Sequence, residues 1–128
     1  MNDSLLKILI VAAGGALGSA ARYVTARQVD ARLNSIFPYG TLTVNVVGSF
    51  ILGLVLTLAA RKAGVTESWR LFLGAGFCGG FTTFSTFAWE NFNLIEQKFM
   101  GTFVLYTSVS LVAGFLALAA GAFLGRFL

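Results

Sequence analysis

Apolar residues form four long stretches in this chain, and charged residues fall mainly between or at the ends of these stretches. The stretches cover about residues 5–26, 40–60, 71–92 and 102–124. A helix needs roughly 20 apolar residues to cross a hydrocarbon core about 30 Å thick. We therefore predict an all-α integral membrane protein, with one transmembrane domain over residues 1–128 and four spanning helices.

The beginning of the chain permits a second interpretation. Lys7 followed by an apolar run and small residues is also the pattern of a cleaved signal peptide. The three further spans favour a first helix that is retained in the membrane.

Composition agrees with a membrane protein, because 57% of the residues are hydrophobic and only 11% are charged. One cysteine and no histidine leave little material for disulfides or for metal sites built on side chains. The net charge of +4 is scattered beside the spans. It indicates anchoring in a lipid bilayer and not nucleic-acid binding.

The distribution of cations bears on orientation. Four spans place both termini on one side, so five of the nine Lys and Arg residues lie on that side and four toward the other: Lys7, Arg61, Lys62, Arg70 and Arg126, against Arg22, Arg27, Arg32 and Lys98. This difference is too small to fix one orientation by the positive-inside rule, so an antiparallel, dual-topology homodimer is expected. The alternative is that lipid or translocon effects choose one orientation.

The third stretch has an unusual centre for a helix. Four glycines followed by four hydroxyl residues occupy 74–87, which predicts a break near the middle of the membrane. Freed backbone carbonyls need a partner there, and they are natural ligands for a small cation such as Na⁺. A phosphate-binding loop is excluded because Phe81 stands where that motif requires lysine.

Phenylalanines recur every three residues in the same stretch, at Phe81, Phe84 and Phe87. They are either packing aromatics or ring edges bordering a narrow path, with adjacent hydroxyls as donors. Because no Asp or Glu lies inside a span before Glu90, such a path would suit an anion.

Other polar residues within the spans also have two readings. Arg22 either reaches the headgroups or lines a wet cavity. Asn45 joins helices or donates to a permeant species. Tyr106, Thr107 and Ser110 share one helix face. They either donate hydrogen bonds to the permeant species or form ordinary hydrogen bonds between helices.

Small residues at a spacing of four predict close contacts between helix backbones. This pattern occurs at three pairs: Gly14 and Gly18, Gly76 and Gly80, and Gly121 and Gly125.

Two strings carry a resemblance to a known family. Gly-Thr-Leu-Thr-Val-Asn-Val-Val-Gly at 40–48 and Gly-Gly-Phe-Thr-Thr-Phe-Ser-Thr-Phe at 79–87 resemble the CrcB/Fluc fluoride channels, in order and spacing across the whole chain. The resemblance implies a fluoride-selective channel of the bacterial inner membrane, and no enzyme. Such a channel is a two-pore antiparallel homodimer that passively exports fluoride trapped in the cytoplasm after HF dissociates.

Residue roles follow from the same resemblance. It implies pore-lining positions at Phe84, Phe87, Ser85, Thr86, Asn45, Tyr106 and Ser110, a vestibule arginine at Arg22, and a structural Na⁺ at the dimer interface on the carbonyls of Gly79 and Thr82. The chain departs from the family at Gly114, where some members have a hydroxyl, and at Phe81, where leucine is common.

Two other classes remain open. Small multidrug exporters share the length, the four spans and the dual topology, but they need a glutamate embedded in the first helix, and residues 8–21 contain none. A non-conducting membrane assembly subunit would use the phenylalanines and hydroxyls for packing alone.

Overall fold

The computed structural model describes residues 2–128, which form helices joined by short turns. Helix α1 is Asp3–Leu33 and α2 is Tyr39–Ala60; the third span then contains α3 (Glu67–Arg70), a π-helical segment (Leu71–Cys78), α4 (Gly79–Phe81) and α5 (Phe84–Glu96), and α6 (Met100–Gly125) follows.

Four helical stretches are long and apolar enough to cross a membrane: Asp3–Leu33, Tyr39–Ala60, Glu67–Glu96 and Met100–Gly125. The predicted all-helical fold with four membrane-length spans is therefore confirmed. Helix α1 continues past the predicted end of its span, and its 31 residues give a length of roughly 46 Å. Its last turns can therefore extend beyond a hydrocarbon core about 30 Å thick.

Short polar residues set several helix ends. The Asn2 side chain accepts from the backbone N–H of Ser4 at 2.7 Å and begins α1, and Thr66 caps α3 in the same way. Asn34 ends α1 in the left-handed conformation, which asparagine tolerates better than most residues. These caps satisfy backbone groups that a helix end leaves without intrahelical partners.

The start of α2 is fixed by α1. Its N-cap residue, Pro38, offers no side-chain hydrogen bond, and Asp30 of α1 instead accepts from the N–H of Gly40 at 2.8 Å. A Cβ on Gly40 would lie 2.7 Å from the Asp30 carboxylate, so only glycine fits this contact. The contact between Asp30 and Gly40 therefore fixes the position of the first turn of α2 relative to α1.

Glycines bring α1 into backbone contact with the first half of the third span. A Cβ on Gly14 or Gly18 would collide with the carbonyl oxygens of Phe72 and Phe77. A Cβ on Gly80 would lie 2.5 Å from a carbonyl oxygen of α1. Two of the predicted small-residue pairs thus meet each other across one interface.

Helices α2 and α6 form the other close interface. A Cβ on Gly53 would collide with the carbonyl oxygen of Leu118, and one on Gly121 with that of Phe50. Gly125, four residues after Gly121, lies against the Thr57 side chain. At the end of this interface, Arg61 donates to the carbonyl of Gly125 at 2.7 Å, where a cation also complements the helix dipole.

The third span is interrupted near its middle, at Thr82 and Thr83, whose backbones are extended. The part before the interruption packs against α1 and α2, whereas α5 packs against α6. The interruption therefore transfers the chain from one helix pair to the other.

The close contact between α2 and α6 gives a test with a matched control. We expect Gly121→Ala to destabilise the protein by about 1–3 kcal/mol, because the added methyl forces two backbones apart. Gly101→Ala, in the same helix, has nothing within 4 Å of the new Cβ and should leave stability unchanged or slightly raised. Thermal unfolding of both purified variants in detergent would measure this, and equal midpoints would contradict the packing role of Gly121.

Candidate functional site

The interruption in the third span is held by the side chain of Asn45 from α2. Its Oδ1 accepts from the N–H of Thr83 at 2.7 Å, and its Nδ2 donates to the carbonyl of the same residue at 3.2 Å. One amide side chain thus replaces both backbone partners that Thr83 would have in a continuous helix. Bilayer lipid could supply neither partner.

Threonine hydroxyls complete the interruption. Thr83 Oγ1 accepts from the N–H of Thr86 at 3.1 Å and caps α5, while Thr82 Oγ1 donates to the carbonyl of Cys78 at 2.8 Å. In a continuous helix the N–H of Thr83 would donate to the carbonyl of Gly79, and the N–H of Thr86 to the carbonyl of Thr82. Because these amides bond elsewhere, the two carbonyls lose their helical donors.

Arg22 of α1 lies on the same part of the third span. Its Nε donates to the carbonyl of Gly80 at 2.9 Å. In a continuous helix that carbonyl would accept from the amide of Phe84, which instead begins α5. One N–H group of the Arg22 guanidinium is therefore hydrogen-bonded to the interrupted segment.

A cavity of about 270 Å³, the central groove, runs beside the interruption between α2, α5 and α6. Its lining includes the polar residues Asn45, Ser49, Thr82, Thr83 and Ser110 and the aromatic residues Phe84 and Phe87. Residues with hydroxyl, amide and phenyl groups therefore share this lining, which contains no Asp or Glu.

The aromatic wall of the groove continues into the interior. The Phe84 and Phe87 ring centroids are 5.9 Å apart, and Phe87 lies 5.1 Å from Tyr106. Tyr106 is completely buried, while Phe84 is 79% exposed. The groove is thus closed by the chain on its Tyr106 side and open on its Phe84 side.

Ser110 has an unusual environment in the groove. Its hydroxyl oxygen is buried and has no hydrogen-bond partner within residues 2–128. A buried hydroxyl of this kind costs free energy unless something pairs with it. Gly114, one turn further along α6, faces Ser49, whose hydroxyl would lie 4.0 Å from a Cβ there. A hydroxyl from α2 therefore lies beside Gly114.

A second cavity, of about 340 Å³, lies between α1 and the start of α2, and we call it the entry cavity. Arg22, Arg27, Thr41 and Thr86 line it. Thr83 lines both this cavity and the central groove, so one residue of the interruption borders the two.

The sequence-predicted site residues thus divide into groups. Five of them, Asn45, Thr82, Phe84, Phe87 and Ser110, line the central groove, and Arg22 and Thr86 line the entry cavity. The remaining three lie outside both cavities. Ser85 is exposed beside the Thr83 hydroxyl, Tyr106 is buried behind Phe87, and Gly79 lines a separate cavity that reaches Thr82.

Sequence reasoning missed two residues. Thr83 lines both cavities and caps α5 by accepting from the N–H of Thr86. Threonine is a common N-cap residue, and its position at the start of the second half of the span could have indicated this role. Glu90 accepts from the hydroxyl of Tyr106 at 3.0 Å, 16 residues away in the chain. No local pattern could have shown that contact.

The interruption could offer a cation backbone oxygens as ligands. The described part of the chain contains no cluster of His, Cys, Asp or Glu side chains that could hold a metal ion. The available donors are backbone oxygens at Gly79 and Thr82, and an all-oxygen set of this kind suits a hard cation.

Comparison with known proteins gives a consistent result. Residues 9–122 match the family described as CrcB-like protein, Camphor Resistance (CrcB). A protein of Acidobacterium capsulatum named fluoride-specific ion channel FluC is 44% identical over 121 residues, covering 94% of this chain and 97% of the relative. Proteins of the same name are 41% identical in Bacteroides fragilis, covering 94% of this chain and 96% of the relative, and 42% identical in Chlorobium chlorochromatii, covering 100% and 98%.

Proposed function

The chain belongs to the CrcB family, and we propose that it conducts fluoride through the central groove. It is a fluoride channel and not an enzyme, as the shared family and the names of its relatives support. It is a multi-pass protein of the bacterial inner membrane.

The unpartnered hydroxyl of Ser110 is the observation that carries the assignment of the path. A buried hydroxyl without a protein acceptor can donate to an anion. Asn45 and the threonines bring further polar groups to the same groove, and Phe84 and Phe87 turn aromatic rings toward it. Ring edges carry the positive part of the aromatic quadrupole, so they favour an anion over a cation.

The exporter alternative lacks the required acid. The two carboxylates of α1, Asp3 and Asp30, lie near its ends. Asp30 holds the N–H of Gly40 and Asp3 pairs with Lys7. No acidic side chain therefore stands in the middle of the first helix, where a proton-coupled exporter needs one.

Passive export follows from the acidity of HF. Neutral HF crosses the bilayer from an acidic exterior and dissociates in the cytoplasm, where the charged ion is trapped. A conductive path lets fluoride leave down its gradient without coupling to another ion.

The open side of the groove supports a homodimer. Phe84 is 79% exposed and the groove beside it contains hydroxyl and amide groups, which are costly to expose to lipid. A second copy of the chain would cover this side. The near-equal numbers of cations at the two ends favour opposite orientations for the two copies.

Na⁺ fits the carbonyls at the interruption. The carbonyls of Gly79 and Thr82 have lost their helical donors, since the amides of Thr83 and Thr86 bond elsewhere. Na⁺ in membrane proteins is often bound by the carbonyls of unwound helices. Two copies would together supply four such oxygens around one structural ion at the dimer interface.

Two substitutions test the ion path. Asn45→Asp places a carboxylate against the carbonyl of Thr83, and the loss of that hydrogen bond with added repulsion should slow fluoride efflux by about tenfold or more. Phe84→Ile removes a ring from the groove wall and should also remove most of the flux. A fluoride-selective electrode would record efflux from proteoliposomes, with chloride efflux recorded in parallel.

Phe115→Ile is the matched control, because Phe115 is 75% exposed but does not line the groove. It should conduct fluoride like the wild type. Normal fluoride flux in both groove variants would refute the path. Wild-type vesicles without fluoride efflux, or with equal chloride efflux, would refute the fluoride channel itself.

Orientation can be tested with one engineered cysteine. Ser35 is exposed in the turn between α1 and α2, so Ser35→Cys in a Cys78→Ala background gives a single reactive thiol. In intact cells, a membrane-impermeant thiol reagent should label about half of the molecules if the two orientations are equally populated. Complete labelling, or none until the cells are opened, would show a single orientation.

The Na⁺ proposal predicts specific stabilisation. An ion that binds only the folded dimer raises its stability by about 2.7 kcal/mol at 100 times its dissociation constant. We therefore expect a higher thermal midpoint in NaCl than in N-methyl-D-glucamine chloride at the same ionic strength. Equal midpoints for protein purified without Na⁺ would argue against the site.

A further inference from the structure

The entry cavity contains two arginines that make different contacts. Arg22 donates its Nε to the carbonyl of Gly80 at 2.9 Å. Arg27 makes no hydrogen bond to the third span within residues 2–128, and its Nη1 donates to the hydroxyl of Tyr23 at 3.1 Å. One guanidinium is thus engaged with the interruption, while the other is held at the cavity wall by its own helix.

Tyr23 positions Arg27 in two ways. The Arg27 guanidinium carbon lies 5.9 Å from the Tyr23 ring centroid, in addition to the hydrogen bond. These contacts use one of the five N–H groups of the side chain and leave the others available.

No carboxylate neutralises Arg27 within the part of the chain that the structure describes. Both ion pairs found there are made by Lys7. Asp30 also lines the entry cavity, but its Oδ1 accepts from the N–H of Gly40 at the start of α2. The positive end of that helix partly offsets the Asp30 charge. Arg27 therefore presents a positive charge to the cavity.

Arg27 directly follows the apolar stretch of residues 5–26 in α1, so its charged side chain is expected at the aqueous end of the span. It is 24 residues along α1 from Asp3, or roughly 36 Å, which exceeds the hydrocarbon thickness of about 30 Å. Thr86 and Thr83 also line the entry cavity, and Thr83 borders the central groove as well.

We propose that Arg27 is the residue that recruits fluoride from solution into the entry cavity, and that Arg22 instead positions the interruption through Gly80. This inference rests on the proposed fluoride path. A positive charge at the mouth of a cleft raises the local anion concentration and the rate of entry, and salt screens the effect.

Ionic strength separates recruitment from structure. Fluoride efflux from proteoliposomes would be measured at low fluoride, in about 10 mM and about 500 mM of a non-permeant salt, where the Debye length falls from about 30 Å to a few ångströms. We expect Arg27→Gln to be slower than wild type by about three- to tenfold at low ionic strength and within about twofold at high ionic strength. Arg27→Lys should match the wild type, and Arg27→Glu should be slower than Arg27→Gln at low ionic strength.

Arg32→Gln is the control for general surface charge. Arg32 is in the last turn of α1 and does not line the entry cavity, so Arg32→Gln should lose clearly less flux than Arg27→Gln at low ionic strength and none at high ionic strength. Arg22→Gln should stay impaired at high ionic strength, because salt does not restore the lost hydrogen bond to Gly80. Size-exclusion chromatography would confirm that the variants compared are equally assembled.

Three results would overturn the inference. These are an Arg27→Gln rate equal to wild type at low ionic strength, a deficit of the same size at both salt concentrations, or the same deficit in Arg32→Gln. A silent wild-type protein would instead refute the proposed function, and this inference with it. An active wild type with an unaffected Arg27→Gln refutes recruitment by Arg27 alone.

Discussion

The structure depends on satisfying the backbone of a helix that stops within a membrane span. Asn45 provides the solution with one amide, which accepts from the N–H and donates to the carbonyl of Thr83. Arg22 adds a bond to Gly80, and the Thr83 hydroxyl caps the helix that follows. Without these partners, the exposed backbone groups would cost several kcal/mol in lipid, and a continuous helix would be favoured.

The interruption decides what surrounds it. The first half of the third span packs with glycine contacts against α1, while α5 turns to α6. This change of partner opens the central groove between α2, α5 and α6 and places Phe84, Phe87 and Ser110 along it. A straight third helix would pack against the same neighbours along its whole length. No groove would then open between α2, the third span and α6 at this position.

Charge placement is consistent with anion conduction. The central groove has hydroxyl, amide and aromatic walls without a carboxylate, while two arginines line the entry cavity, which shares Thr83 with it. The carboxylate of Glu90 lies behind the aromatic wall, bonded to Tyr106. The two arginines have separate contacts, since Arg22 bonds to the third span and Arg27 to Tyr23.

The sequence alone determined the number of spans and the glycine contacts, because both follow from local composition and spacing. It also predicted an interruption in the third span within residues 74–87, but it did not decide which residues carry it. Gly79 is helical and Gly80 packs against α1, while Thr82 and Thr83 carry the interruption. Only the tertiary structure decided that position, because it depends on an asparagine 38 residues away in the chain. The contact between Tyr106 and Glu90, and the different partners of Arg22 and Arg27, are decided in the same way, since hydrogen bonds between distant residues leave no periodic signal in the sequence.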